Sequence, residues 1–205
     1  MDKVSYSIGI TIGSQLKQQG LELGYDSFIQ GIKDVMEGKE LAITTEEMQK
    51  VMADFQKETM EKMQKKQEAA GAKNAEEGKA FLAENAKKEG VTTLPSGLQY
   101  EVIKEGDGEK LAATDIFKAL YKGSLLDGTV FDSTESRNND PLEMPVGNVI
   151  PGWQEALQLM PVGSKWKLYI PSDLAYGPRG GGELIGPNAA LIFEIELLGK
   201  GEAKK

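Results

Sequence analysis

Val149-Ile150-Pro151-Gly152-Trp153-Gln154-Glu155-Ala156-Leu157-Gln158-Leu159-Met160 passes from an extended segment, through a Pro-Gly turn, into one short helix. The apolar spacing predicts that helix over Trp153–Met160, and Pro161-Val162-Gly163 ends it. The flanking chain reads as strands: Leu98–Ile103, Ile116–Leu125 and Thr129–Asp132 before the helix, Lys165–Ile170 and Ala190–Leu198 after it. Asp127-Gly128, between two apolar runs, marks a hairpin. A single helix laid across an antiparallel sheet is the economical α+β arrangement of such a pattern. Trp153 opens the helix, so its indole is expected to form a platform there rather than sit mid-face. Tyr176 and Phe131-Asp132 fall at strand ends beside flexible or glycine-rich loops, where functional sites gather.

Upstream of residue 90 the texture is different. All eight prolines lie after that point, and what precedes it favours helix throughout. Val4, Ile8, Ile12 and Leu16 recur every four residues on one helical face, with Gly9 and Gly13 on another. Gly20 and Gly24 break that helix. A second helix is expected from about Asp26, as N-cap, to Gly38, with Phe28, Ile29, Ile32, Val35 and Met36 apolar. Two helices this short and this apolar have too little core to stand alone, so the expected solution is association with an identical pair. Thr44-Thr45-Glu46-Glu47 is a capping box that opens a third helix, running to about Lys88. Its middle, Glu58 to Glu77, is charged nearly all round, and Gly71 and Gly78 are expected to be points of bending or fraying. The expected organisation is therefore a helical dimerisation region over 1–43, a linker helix over 44–90 and a β-rich domain over 91–205.

The 205 residues contain no histidine and no cysteine. This removes the usual general base, the soft nucleophile and most zinc sites, and no metal or cofactor is expected. A net charge of −8 argues against nucleic acid as a partner. No apolar run approaches the ~18 residues of a membrane span, and the N-terminus lacks the layout of a secretion signal. The stretches Gly106-Asp107-Gly108 and Gly180-Gly181-Gly182 lack phosphate-loop spacing and read as turns. Residues 135–143 are acidic without calcium-loop spacing, and no carboxylate pair is singled out by its context. A pocket in this chain has to work by shape, dryness and a few hydrogen bonds.

Phe131-Asp132-Ser133, Val149-Ile150-Pro151-Gly152-Trp153, Ala175-Tyr176-Gly177 and Asn188 followed by Leu191-Ile192-Phe193-Glu194-Ile195-Glu196-Leu197-Leu198 resemble the FKBP-type peptidyl-prolyl isomerase domain. The likeness runs from about Gly97 to Leu198. The opening Ser5-Tyr6-Ser7-Ile8-Gly9, the long linker helix and Leu94-Pro95-Ser96-Gly97-Leu98-Gln99-Tyr100 are similar to the bacterial macrophage infectivity potentiator (Mip-like) group. The resemblance implies acceleration of protein folding by cis–trans isomerisation of X-Pro bonds, proline-containing polypeptides as substrates, and inhibition by macrolides such as rapamycin. It also implies a V- or U-shaped homodimer with chaperone activity, placed in the periplasm or cell envelope or, alternatively, in the cytoplasm.

By motif position, Tyr121, Asp132 and Tyr176 would carry catalysis. Phe131, Arg137, Leu142, Val149, Ile150, Trp153, Ile185 and Phe193 would bind substrate or inhibitor. Trp153 would lie beneath the prolyl ring. Asp132 would be held by Tyr121 and Arg137, while the Ile150 N–H and the Tyr176 hydroxyl would anchor peptide carbonyls. The chain departs from the family pattern at Phe117-Lys118-Ala119-Leu120-Tyr121, where Phe117, Ala119 and Tyr121 should share the inner face and Leu120 point outward. Leu142 and Met144 stand where phenylalanine is common, giving a softer wall. The other reading open at this level is a non-catalytic, proline-recognising chaperone or binding protein.

Overall fold

Capping decides where the first helices begin. The structure is a computed structural model that describes residues 1–18 and 20–201, so the last four residues expected in the C-terminal domain lie outside the described ones. It divides into two units, Met1–Thr59 and Met60–Lys205. In the first, α1 (Lys3–Gln18) starts at Asp2, whose carboxylate accepts the Ser5 N–H at 2.9 Å and the Val4 N–H at 3.3 Å. Helix α2 (Tyr25–Met36) starts two residues earlier than an N-cap at Asp26 would give. Gly24 occupies the N-cap without a side-chain bond, and Asp26 lies inside the first turn, where its charge still favours the helix N-terminus. The capping box at the start of α3 (Thr45–Asn85) is reciprocal: the Glu47 N–H donates to Thr44 Oγ1 at 3.2 Å, and the Thr44 N–H donates to Glu47 Oε2 at 2.8 Å. Among its described residues the first unit buries none of its large apolar side chains; Val4 and Val35 are each 69% exposed and Ile8 56%.

The second unit holds the core. Its sheet is antiparallel, formed by β1 (Val91–Thr93), β2 (Gln99–Lys104), β3 (Ile116–Leu125), β4 (Val130–Ser133), β5 (Leu142–Pro145), β6 (Lys165–Ile170) and β7 (Leu191–Lys200). The order is β1-β2-β6-β7-β3-β4, with β5 added to β3. Alternation fixes which side chains enter the core. On β3, Phe117, Ala119 and Tyr121 are buried and Leu120 stands on the opposite face. On β7, Leu191, Phe193, Ile195 and Leu197 point inward. The hairpin turns at Gly128, which takes φ of +88°, and the Asp127 carboxylate accepts the Thr129 N–H at 2.9 Å.

Helix α4 (Pro151–Leu159) crosses the inner face of this sheet and buries Trp153, Ala156 and Leu157. It begins two residues before the expected start because Pro151 has the helical φ already set and sits at the first turn. Trp153 is thus the third residue of the helix, not its first. Gly152 lets the helix approach the sheet: a Cβ there would come 2.6 Å from Ile170 Cγ2. The remainder of α3 also belongs to this unit. Gly71 and Gly78 are buried in it rather than frayed, since a Cβ on Gly78 would lie 3.1 Å from Ala190 Cβ. Further along, the ring of Phe81 meets that of Tyr169 at 5.9 Å.

Candidate functional site

Between α4, β3, β4, β5 and the loop before β7 lies a cavity of about 520 Å³. Trp153 forms its floor. The indole meets Tyr121 edge-on at 5.3 Å and 83°, and Phe193 at 5.2 Å and 88°. Phe131 in turn stands edge-on to Phe193 at 5.5 Å. These edge-to-face contacts each add about 0.5–1.5 kcal/mol beyond burial and fix the angle at which each ring faces the cavity. Two of these rings have room only because residue 123 is glycine: a Cβ there would stand 2.6 Å from both Phe131 Cζ and Phe193 Cε1. Leu142 and Met144, alternate residues on β5, close one wall, and Val149 and Ile150 close the side next to α4.

The polar groups sit at the rim. The Tyr121 hydroxyl donates to the Asp132 carboxylate, and the Arg137 guanidinium donates to Tyr121 Oη at 2.5 Å, with its nitrogen 3.7 Å from Asp132 Oδ1. Thr134, almost wholly buried, locks the strand beneath. Its Oγ1 accepts the Tyr121 N–H at 3.1 Å and its own N–H donates to the Tyr121 carbonyl at 2.9 Å. Burial, with the hydrogen bond and charge of Asp132, pushes the Tyr121 phenol up to about 12. Burial and the Asp132 charge also raise Tyr176. Tyr176, 41% exposed, leans on Gly181, whose Cβ would come 3.0 Å from its ring. The Ile150 N–H, at the start of α4, donates to no group among the described residues, while the Ile150 carbonyl accepts from Trp153 N at 2.9 Å.

Comparison with known proteins fits this geometry to a family. The description "Domain amino terminal to FKBP-type peptidyl-prolyl isomerase" matches residues 1–102, and "FKBP-type peptidyl-prolyl cis-trans isomerase" matches residues 107–198. The chain is 47% identical over 197 residues to the outer membrane protein MIP of Legionella longbeachae, covering 96% of this chain and 84% of that one. It is 46% identical to the FKBP-type 22 kDa peptidyl-prolyl cis-trans isomerase of Escherichia coli (strain K12), covering 96% and 93%. The chain belongs to the FKBP-type peptidyl-prolyl cis-trans isomerases. Within them it falls in the Mip-like group. The crystal structure of FkpA from Escherichia coli superposes with a TM-score of 0.78 at 35% identity, over 98% of this chain and 97% of that one.

In this FKBP-type chain the structure brings ten of the eleven expected site residues to the cavity wall. Tyr121, Phe131 and Asp132 come from β3 and β4, Leu142 from β5, and Val149, Ile150 and Trp153 from the entry to α4. Tyr176 and Ile185 come from the loop before β7, and Phe193 from β7 itself. Arg137 is placed differently: it lines no wall and reaches the site through the Tyr121 hydroxyl. Sequence reasoning missed Thr134, Gly123, Asn148, Gly181 and Gly182. A glycine inside a strand of otherwise large residues is the one local signal that could have found Gly123.

The pH dependence follows from these groups. The folded pKa of Tyr121, about 12, is above its ordinary value near 10, so the neutral phenol is the favoured form. Its bond to Asp132, and the stability that bond contributes, are whole below about pH 10 and are lost as pH rises through about 12. No histidine or cysteine titrates in between. Isomerase kcat/KM is expected to be flat from about pH 7 to 9. A limb inside that window would contradict this assignment.

Proposed function

We propose that the ring-lined cavity above Trp153 is where this enzyme isomerises X-Pro bonds, by a non-covalent route. Planar amide resonance opposes rotation with a barrier of about 18–20 kcal/mol. At the perpendicular geometry the conjugation is lost and the linkage is less polar. A site that excludes water therefore disfavours the planar amide more than the twisted one. Trp153 supports the prolyl ring, with Phe131, Val149, Ile150, Ile185 and Phe193 as walls. The Ile150 N–H and the Tyr176 hydroxyl bind carbonyls of the peptide. Asp132, fixed by Tyr121 and Arg137, orients the reacting carbonyl. What carries the reading is the combination of an apolar floor of edge-on rings with a rim of polar groups already tied to one another.

Residues 91–205 act as the isomerase domain, 44–90 as linker helix and 1–43 as the dimerisation region in this reading. The exposed apolar side chains of α1 and α2 support the last assignment, because a solvent-facing helix normally carries its apolar stripe against a core. The dimer in turn supplies the chaperone activity, holding unfolded proline-containing polypeptides near the isomerase sites. Rapamycin-type macrolides occupy the same cavity. The name of the Legionella longbeachae relative, an outer membrane protein, favours the periplasm or cell envelope as the site of action. Among the described residues no helix is long and apolar enough to cross a membrane.

Two variant sets test this. Tyr176→Phe should lower kcat/KM on a proline peptide about 3- to 10-fold, and Asp132→Ala about 10- to 100-fold, with circular dichroism unchanged. Full activity in both would remove their assigned roles. Ile32→Glu with Val35→Glu should give a monomer in sedimentation velocity, with small-peptide isomerisation kept and refolding of a proline-limited protein slowed several-fold. A dimer that persists would place the interface elsewhere.

A further inference from the structure

Within the second unit, the charged surface of α3 is interrupted by one stripe that faces the β-rich fold. Gly71, Gly78 and Asn85 are buried, and Asn74 and Phe81 are partly buried, at alternating spacings of three and four residues. At the N-terminal end of this stripe the helix meets Gly186-Pro187-Asn188 through two reciprocal bonds. Asn74 Nδ2 donates to the Pro187 carbonyl at 2.9 Å, and Asn188 Nδ2 donates to the Gly71 carbonyl at 3.3 Å. The approach is close at a glycine on each side. A Cβ on Gly71 would stand 3.2 Å from both Pro187 Cβ and Asn188 Nδ2, and one on Gly186 would stand 2.9 Å from Asn74 Nδ2.

The other side of the same loop faces the cavity. Ile185, 8% exposed, is the residue just before Gly186 and lines the cavity wall. It exchanges two hydrogen bonds with Gly181: its carbonyl accepts at 2.8 Å and its N–H donates at 3.2 Å. At the base of the loop the Asn188 N–H donates to the Gly177 carbonyl at 2.8 Å, next to Tyr176. Asn188 holds φ at +55°, a conformation that asparagine tolerates better than most residues. The loop from Gly177 to Asn188 is thus closed at its tip and its base, and the groups that grip it from behind are on α3.

We infer that Asn74 is a positioning residue for isomerisation: by clasping Pro187 it sets where the loop carrying Tyr176 and Ile185 stands over the Trp153 floor. This rests on the reading of that cavity as the isomerisation site. Asn74 touches no substrate; it acts through Ile185 and Tyr176. The wall it sets includes Tyr176, whose hydroxyl is read above as binding a peptide carbonyl, so the clasp governs substrate fit more than the barrier itself.

The test uses the full chain with Asn74→Ala, Asn74→Asp and Gly71→Ala, and Asp132→Ala as reference, on peptides differing in the residue before proline. Asn74→Asp keeps the shape but replaces the amide donor with an acceptor facing a carbonyl. Each of the three is expected to raise KM about 3- to 10-fold with kcat within about twofold. The ranking of peptides should change, and the Gly181 and Ile185 amides should exchange hydrogen faster. If the three variants fold and keep the normal KM, ranking and exchange while Asp132→Ala loses activity, the inference is overturned and the cavity reading stands. A lower melting temperature with unchanged KM and ranking also overturns it. Full activity in Asp132→Ala overturns the cavity reading, and this inference with it.

Discussion

The edge-on packing of the Trp153 indole against Tyr121 and Phe193 is the contact on which the rest depends. It joins three elements at one point: α4 supplies the floor, β3 the phenol and β7 the facing ring. Because the indole is 97% covered yet still lines the cavity, it is held by the core on one side and is available on the other (3% exposed). Gly152 brings α4 down to Ile170, and Gly123 clears space for Phe131 and Phe193. Removing either permission would tilt or fill the site without touching any polar group.

The mechanism proposed for that arrangement requires neither histidine nor cysteine, and the chain has none. Amide rotation forms and breaks no σ bond, so the protein needs only to treat the planar and twisted linkages differently. In the mechanism proposed above, aromatic walls do this by withholding solvation from the more polar, planar form. In the same proposal the Tyr121–Asp132–Arg137 group serves orientation: burial and Asp132 favour the neutral phenol of Tyr121, and Arg137 stands beside the Asp132 charge at the rim. The cost of fixing these side chains is met partly by Thr134, which binds both backbone groups of Tyr121.

Much of the fold was legible where one local rule acted alone. The limits of β3 and β6 follow from alternation, the hairpin from Asp127-Gly128 and the opening of α3 from its capping box. Strands β1 and β5 escaped because three or four residues carry too little pattern; Leu142 and Met144 were recognisable as wall residues without the strand that aligns them. The start of α4 shifted because Pro151 belongs to the first turn, and Asp26 looked like a cap although Gly24 fills that place. Most instructive is α3. Apart from Phe81, its packing stripe is glycine and asparagine, so hydrophobic periodicity is nearly blind to it, and residues that look like weak points are the places of closest approach. Most of the residues lining the cavity sit in recognisable short signatures, but the indirect position of Arg137 and the support from Thr134 are products of tertiary packing.

The central claim is that a dry, ring-lined cavity eases the twist of a proline linkage with no proton in flight. The solvent deuterium isotope effect on kcat/KM for a small X-Pro peptide measures this most directly. A ratio close to one is expected across the flat part of the pH profile. A normal effect of about two or more, as a proton transfer in the rate-limiting step would give, would contradict it.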